Sequence, residues 1–411
     1  MRVPDWFVAV CLTGVVSASE ADEIRLGRIR AHMAENLHRL PNFTCIETIE
    51  RSVRVAKSRR FQLLDTLRLE VAMVNGRELF AWPGSGKFDD REMSEIVGGG
   101  TSGSGTFGIH ARAIFLSGGP IFEYLGEVER EEGRVYRYSY RVPLLSSGYM
   151  IRSGDTKRIA GYHGTFEADA LTFDVLSLDV IADEEIPPEL QILVAATRMR
   201  YRRVRIGEGE FLLPESSEIA LTNYRGDENR NRIHLSACKQ YGTESMIRFD
   251  EPPPSEAAPT LPAPSSGISQ TQAIDELPVG LAFDAELQTQ IDLPGAAIGD
   301  IVEAQLKSDA KLKGTVMISK GTMVRMRLLK IGRLPNARVE TTFLIIRLYE
   351  IELPGGKTEI HGVPEALGPP GGGGIRMTVH NGVIYIQTGT RRGLARGTRI
   401  RWRLVSKNEA R

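Results

Sequence analysis

Few residues of this chain combine the types and spacing that catalysis or metal binding needs. The seven histidines are scattered, and none has a second ligand at the spacing of a helical turn or a hairpin. The HExxH metalloprotease motif and the Gly-x-Ser-x-Gly nucleophile elbow are both absent from the sequence. We therefore expect no metal, no cofactor and no enzymatic activity.

His163 and two aspartates are the remaining candidates for chemistry. His163 lies between an aromatic residue and a glycine. It is either a site histidine, acting with a nearby carboxylate in a hydrolase, or an ordinary histidine at a strand end. Asp65 and Asp179 fall among the apolar positions of their predicted strands, where an unpaired carboxylate is costly. We expect each to be an arginine partner or a residue at a sheet rim rather than a catalytic acid.

A glycine-rich segment at residues 103–108 matches the dinucleotide fingerprint GxGxxG. That fingerprint needs a buried strand before it and a parallel βαβ unit around it. Here a polar, helix-like segment precedes the glycines, and the surrounding patterns are antiparallel. The segment is therefore predicted to be a mobile loop.

Three arginines near the C-terminus alternate with apolar residues: Arg399, Arg401 and Arg403. At period two they share one face of one strand. Such a stripe could face anionic lipid head groups or an acidic partner, or it could be a solvated face paired with carboxylates of neighbouring strands. The whole chain balances 52 Lys and Arg against 52 Asp and Glu, so we expect no nucleic-acid partner.

The N-terminus has the pattern of a secretory signal peptide over residues 1–18. A short charged start precedes an apolar run, and small residues stand before a cut after Ala18. The run is about half of the ~20 residues that a membrane span needs, and no later segment is long and apolar enough. The sequence therefore predicts a periplasmic or secreted protein without a transmembrane anchor. The alternative is a buried N-terminal helix of a cytosolic protein.

Two of the three cysteines, Cys45 and Cys238, fall in strand-like segments near the two ends of the predicted first domain. In an oxidising compartment they could form a disulfide, and the alternative is two separate buried thiols. The third, Cys11, falls within the predicted signal peptide.

A chain of 411 residues favours two domains. Residues 251–276 are rich in Pro, Ser, Ala and Thr and poor in bulky apolar residues, so they are predicted to form a semi-extended linker. The linker separates a first domain, residues 22–250, from a second domain, residues 277–407.

The first domain is predicted to be α+β. Apolar residues recur at intervals of three and four from Leu26 to Leu40 and predict one amphipathic helix, which Pro41 ends. The rest mostly alternates with period two and predicts a large curved antiparallel sheet or half-barrel, with the helix on its concave side.

The second domain is predicted to be all-β. Turn signals such as Asn381-Gly382 and Arg396-Gly397 separate its strand-like segments, and no helical pattern lies between them. This arrangement is typical of a β-barrel or β-sandwich, so the whole chain is predicted to be mainly β.

The first domain resembles the periplasmic lipoprotein-carrier superfamily, which includes the outer-membrane lipoprotein carrier and the periplasmic sensor of an envelope-stress sigma-factor system. The resemblance rests on the helix, the many-stranded antiparallel pattern and the phrases RVYRYSYRVP at 134–143, GTFEAD at 164–169 and FLLP at 211–214. It implies a half-open β-barrel over a helical lid, which binds acyl chains or exposed peptide.

The second domain is similar to the β-barrel of TrbI-like conjugation channel proteins, in the phrases at 301–306, 316–322 and 348–356. The transmembrane anchor of those channel proteins is missing here. The resemblance therefore implies a barrel and leaves a pore role in doubt.

Together these observations predict an exported binding protein of the cell envelope. Its first domain would hold a lipid, lipoprotein or peptide ligand, and its second would dock to another envelope protein. The candidate lining residues, each of which could equally be plain core, are Phe61, Leu67, Leu69, Tyr136, Tyr138 and Tyr140. The alternative is an envelope scaffold with protein contacts only.

Overall fold

The computed structural model describes residues 18–85, 88, 93, 108–241, 277–333, 341–368, 377–387 and 393–409. The predicted linker and all but the last residue of the predicted signal peptide lie outside the described residues, as does the glycine-rich segment up to residue 107. Of the described residues, 61% lie in strands and 11% in helices, which confirms the prediction of a mainly β fold.

Helix α1 covers Ala18–Arg39, and a short α2, Ile109–Ala111, continues as a π-helical turn, Arg112–Leu116. Single 3-10 turns cover Leu144–Ser146 and Pro188–Leu190. The strands are β1 Phe43–Arg54, β2 Gln62–Val74, β3 Arg77–Ala81, β4 Ile121–Arg130, β5 Gly133–Val142, β6 Met150–Ser153, β7 Thr156–Ile159, β8 Tyr162–Asp169, β9 Val175–Ala182, β10 Ile192–Ile206, β11 Gly209–Asn223, β12 Glu228–Gln240, β13 Ala282–Leu287, β14 Ile291–Asp292, β15 Ile301–Leu306, β16 Ala310–Leu312, β17 Thr315–Ile318, β18 Met323–Arg333, β19 Thr341–Leu353, β20 Gly356–Leu367, β21 Met377–His380, β22 Val383–Gln387, β23 Gly393–Leu394 and β24 Arg399–Leu404.

The described chain forms two compact units. The first takes its residues from 1–41, 54–59 and 97–239, and the second takes them from 42–53, 60–96 and 240–411. Strands β1 to β3, which the sequence places in the first domain, therefore group with the C-terminal unit. The predicted boundary at residues 250 to 277 stays a prediction, because the linker lies outside the described residues.

In the first unit, antiparallel strands follow in the order β12-β11-β10-β9-β8-β5-β4. Helix α1 contributes Ile29, Met33 and Leu37, which recur every four residues and are at most 4% exposed. These side chains join the apolar face of the sheet in one core cluster. The predicted helix is thus confirmed, and it ends at Arg39, just before Pro41.

In the second unit, strands follow in the order β18-β15-β13-β24-β20-β19-β22-β21, and β18 also pairs with β19. That pairing closes the first six strands into a barrel, so of the two predicted architectures the barrel is the observed one. Alternate residues fill its interior, among them Trp402, Phe283 and Met326, which are at most 4% exposed.

The hairpin of β2 and β3 is docked on this barrel. Arg327 of β18 is only 6% exposed and donates hydrogen bonds to the carbonyls of Pro83, at 2.9 Å, and Gly299, at 3.0 Å. Arg68 of β2 pairs with Asp300, beside a short parallel bridge between the same two segments. These contacts explain why the hairpin belongs to the second unit.

Candidate functional site

An aromatic layer lines the inner face of the first unit's sheet, the face on which α1 packs. Strand alternation sends every second side chain of β4, β5 and β8 to this face. The ring centroids of Tyr138 and Phe166 lie 5.1 Å apart and the rings stack, while Tyr124 lies 5.1 Å from Tyr138. The layer therefore runs continuously from β8 to β4, the outermost strand on this side.

The layer is closed at its centre and half-open toward β4. Tyr138 and Phe166 are at most 1% exposed, so side chains fill the space between α1 and the middle of the sheet. Four residues farther out are only partly buried, and we call them the aromatic rim: Phe122, Tyr124, Tyr136 and Phe173. No residue of β4 is buried, which leaves the rim accessible from this edge.

Three arginines of α1 lie over the rim, and we call them the arginine cover. The distances from guanidinium carbon to ring centroid are 4.6 Å for Arg25 over both Tyr124 and Tyr136, 5.6 Å for Arg28 over Phe173 and 5.8 Å for Arg30 over Phe122. Cation–π attraction holds each of these charges against an apolar surface. The site therefore combines an aromatic surface with positive charge at its opening.

Phe173 reaches the rim through an unusual backbone conformation. Its φ of 61° lies in the left-handed region, which bulky residues rarely adopt and which costs about 1–3 kcal/mol. The turn before it is fixed by Asp169, whose carboxylate accepts hydrogen bonds from the N–H groups of Leu171 and Thr172. Burial alone would raise the pKa of Asp169, but the bonds from Thr172 and Leu171 outweigh it and lower that pKa. The fold thus maintains a strained position that presents this ring.

Polar contacts fasten α1 beyond the rim. The Asn36 side chain accepts a hydrogen bond from the Leu212 N–H at 2.8 Å and donates one to the Leu212 carbonyl at 2.9 Å. His32 Nε2 lies 2.8 Å from the buried carboxylate of Asp174, and Arg203 donates two hydrogen bonds to the same carboxylate, at 2.7 and 2.8 Å. The arginine cover therefore sits on a helix that is anchored farther along.

The three tyrosines predicted to line a ligand site all face the inside of β5, as their period-two spacing requires. Tyr138 and Tyr140 are core residues, at 1% and 3% exposure, whereas Tyr136 belongs to the rim. The period-two alternation of β5 identified the inner face correctly. It does not show which residues of that face are covered by α1.

The other predicted lining residues lie in the second unit. Leu67 and Leu69 are on β2 and are fully buried, and Phe61 precedes that strand and is partly buried. They do not belong to the aromatic layer. The sequence pattern could not separate them from it, because the grouping of β2 with the barrel depends on long-range contacts.

Sequence reasoning missed most of the rim. Phe122 and Tyr124 flank Glu123 in β4, which is a shorter form of the period-two signal that identified β5 and is interrupted by Ile121 and Leu125. Arg25 and Arg28 are three residues apart and so share one side of α1. These two patterns could have pointed to the site.

The two candidate aspartates are structural. Asp65 receives hydrogen bonds from Arg51 at 2.6 Å to both of its carboxyl oxygens, so it is the predicted arginine partner. Asp179 lies on the outer face of β9 and accepts a 3.3 Å hydrogen bond from Thr165. Its expected place among the apolar positions of the strand was wrong, since the buried face of β9 carries Leu178 instead.

The arginine stripe of β24 is matched by carboxylates of the same unit. The shortest N–O distances are 3.9 Å from Arg399 to Glu286, 3.6 Å from Arg401 to Asp284 and 2.8 Å from Arg403 to Glu365. Two of these carboxylates are direct cross-strand partners on β13. The geometry therefore favours a solvated, paired face over an anion-binding stripe.

Cys45 and Cys238 are both disulfide-bonded in the structure. Their pairing with each other stays a prediction. Among the described residues there is no group of three or more His, Cys, Asp or Glu placed to hold a metal ion. None of the described helices is long and apolar enough to cross a membrane.

Comparison with known proteins gives a loose similarity to three solved structures. No family model matches the sequence, and no curated protein matches it significantly. The first solved structure is a domain from Vibrio parahaemolyticus named for outer-membrane lipoprotein sorting, with a TM-score of 0.29, 12% identity and coverage of 54% of this chain and 95% of that chain. A LolA superfamily protein from Nitrosomonas europaea has a TM-score of 0.27, 10% identity and coverage of 53% and 94%.

The third is a DUF1329 family protein from Desulfovibrio piger, with a TM-score of 0.27, 10% identity and coverage of 54% and 93%. Scores this low assign the chain to no family.

Proposed function

We propose that this chain is an exported cell-envelope protein that binds an apolar ligand, an acyl chain or an extended peptide, at the aromatic rim of its first unit. The observation that carries the proposal is the half-open aromatic surface beside β4, which is the edge strand of the sheet among the described residues. Aromatic rings are normally buried, because each carries a large apolar area. The rings of the rim are only partly buried. An apolar ligand would cover them without disturbing the packed centre.

The arginine cover supports a ligand with an anionic end. Arg28 is exposed and lies over Phe173, so its charge remains available, whereas Arg25 is already paired with Asp22 at 2.5 Å. A fatty acid would place its chain on the rings and its carboxylate beside Arg28. Among acyl ligands, those with a negative head group should therefore bind best.

A titration with a fluorescent fatty acid tests this proposal. We expect saturable uptake, about tenfold weaker for Tyr136→Ala because a large apolar contact is lost. Tyr224→Ala is the matched control, since Tyr224 is 56% exposed and lies outside the rim. Arg28→Gln should weaken binding of the acid but leave a fatty alcohol of the same length unchanged. Absence of saturable uptake in the native chain would refute the proposal.

A scaffold without any small ligand is the second candidate, and the filled centre of the helix–sheet contact favours it. In that case fatty acid uptake should stay at the level of non-specific binding in the native chain and in every variant, Tyr136→Ala included. Pull-down with the intact chain would then be the informative experiment. Both proposals include docking of the second unit to an envelope protein. The arginine stripe does not support this docking, because its charges already have carboxylate partners.

A further inference from the structure

The outer face of the same sheet carries a separate groove. A pocket of about 440 Å³ opens across β4, β5, β8 and β9 on the face opposite α1. Its walls include six outward-facing side chains: Ile121, Glu123, Arg141, His163, Thr165 and Ile181. Arg141 is the register partner of His163, which in turn faces Ile181, so the groove runs across the strands.

Most polar groups of this groove already have partners. His163 Nε2 lies 3.0 Å from Asp183, and Arg141 donates a hydrogen bond to Glu185 at 2.9 Å. Asp183 is therefore the carboxylate near His163. The contact lies at the surface, with the two side chains 39% and 37% exposed, rather than in a buried catalytic pair.

Glu123 is the exception. It is exposed, and its described contact is a 3.5 Å hydrogen bond from the Ser139 hydroxyl, which is too long to satisfy a carboxylate. The apolar walls of Ile121 and Ile181 flank the groove that it lines. Apolar walls with one unmatched negative charge fit the long aliphatic stem and cationic end of a lysine or arginine.

The strand that carries Glu123, β4, has a strand partner on one side only among the described residues. Among the described strands, β4 pairs only with β5, so every second residue directs its N–H and C=O groups away from the sheet. On its outer face Ile121 and Leu125 are 65% and 45% exposed. Exposed apolar residues along an unpaired edge are the features of a site for strand addition.

From these observations we propose that β4 takes up an extended peptide as an added strand, with a lysine or arginine side chain seated in the outer groove against Glu123. The inference goes beyond the proposed function, since it concerns the opposite face of the sheet and a peptide that is held by the β4 backbone and a basic side chain. The chain would thus bind an apolar ligand on one face and a basic peptide segment on the other.

Fluorescence anisotropy with three labelled ten-residue peptides tests the side-chain preference. The peptides alternate Thr and Val and differ only in a central Lys, Ala or Glu. The Lys peptide should bind the intact chain about fivefold more tightly than the Ala peptide and more tightly still than the Glu peptide. Equal affinity for all three would overturn the proposed role of the groove.

Two variants locate the site. Glu123→Gln should remove the preference for Lys over Ala, whereas Glu132→Gln, at an exposed glutamate outside the groove, should keep it. Neither substitution should change fatty acid uptake at the rim. Loss of the preference in both variants, or in neither, would contradict the assignment to Glu123.

Backbone methylation tests strand addition itself. A strand forms hydrogen bonds to its neighbour through alternate amides only. Two Lys peptides are compared: the first is N-methylated at the odd-numbered amides and the second at the even-numbered amides. One of them should lose binding, and the other should bind like the unmodified peptide. If both bind like the unmodified peptide, no strand is added to β4.

Discussion

Glu47 is the most unusual single residue of the second unit. It is 1% exposed on β1, and neither of its carboxyl oxygens has a hydrogen-bond partner. Burial, with a smaller contribution from the charge of Glu78, raises the pKa of Glu47 to about 8. A neutral carboxyl is therefore the form that the fold accommodates at neutral pH.

This raised pKa predicts that stability falls as pH rises. The unfolded chain ionises Glu47 near its ordinary pKa, whereas the folded chain keeps the proton until about pH 8, so the native state binds more protons in between. Glu47→Gln should therefore gain stability over the native chain between pH 5 and pH 8, by up to ~3 kcal/mol. Urea unfolding at the two pH values measures this difference.

Glu50→Gln is the matched control, because Glu50 is exposed on the same strand. Its stability relative to the native chain should not change with pH in this way. A pH dependence of Glu47→Gln that parallels the native chain would mean that the buried carboxyl does not titrate as described.

Gly164 occupies a position where no side chain fits. A Cβ atom there would lie 1.9 Å from the Asp179 carbonyl oxygen and 2.8 Å from the Tyr140 hydroxyl, which donates a hydrogen bond to that same carbonyl. Gly164→Ala should destabilise the first unit by about 1–3 kcal/mol. Gly148→Ala, where nothing lies within 4 Å, should change the free energy of unfolding by less than about 0.5 kcal/mol.

At the scale of elements, the anchoring of α1 decides how the rim is presented. Asn36 exchanges two hydrogen bonds with the backbone of β11. Asn36→Ala should destabilise the chain by about 1–3 kcal/mol and speed amide exchange in α1, because two backbone groups lose their partner. Arg39→Ala, at an exposed residue of the same helix, is the control. Unchanged exchange in α1 would show that other contacts suffice.

Elements with strong local periodicity could be predicted from the sequence. The apolar residues of α1 and the Asn75-Gly76 turn, both residues of which have positive φ, follow from spacing and turn chemistry alone. The aromatic rim could not be predicted as a site, because the exposure of Tyr136 depends on where α1 stops covering the sheet. The docking of β2 and β3 on the barrel could not be predicted either, because it depends on the buried Arg327, which is more than two hundred residues away from them in the sequence.

At the scale of the whole molecule, the disulfide is the strongest predicted constraint. If Cys45 and Cys238 are bonded to each other, the bridge closes a very long loop and should contribute ~4–5 kcal/mol in the chain-entropy model. Peptide mapping without reductant should recover the two cysteines in one linked pair. Reduction should lower the free energy of unfolding by the stated amount. Two free thiols at these positions in unreduced protein would exclude the bridge.

The division into two units predicts which residues an acyl ligand contacts in the intact chain. The rim belongs wholly to the first unit, whereas the barrel of the second has an interior filled by its own side chains. Acyl ligands should therefore contact residues of the first unit only.

Photolabelling of the purified chain with a diazirine-bearing fatty acid tests the central claim most directly. Tryptic peptides that carry the rim and the arginine cover, around Arg25, Phe122, Tyr136 and Phe173, should be labelled, and excess unlabelled fatty acid should suppress the labelling. Labelling that is confined to the second unit, or that excess fatty acid does not suppress, would contradict a binding site at the rim.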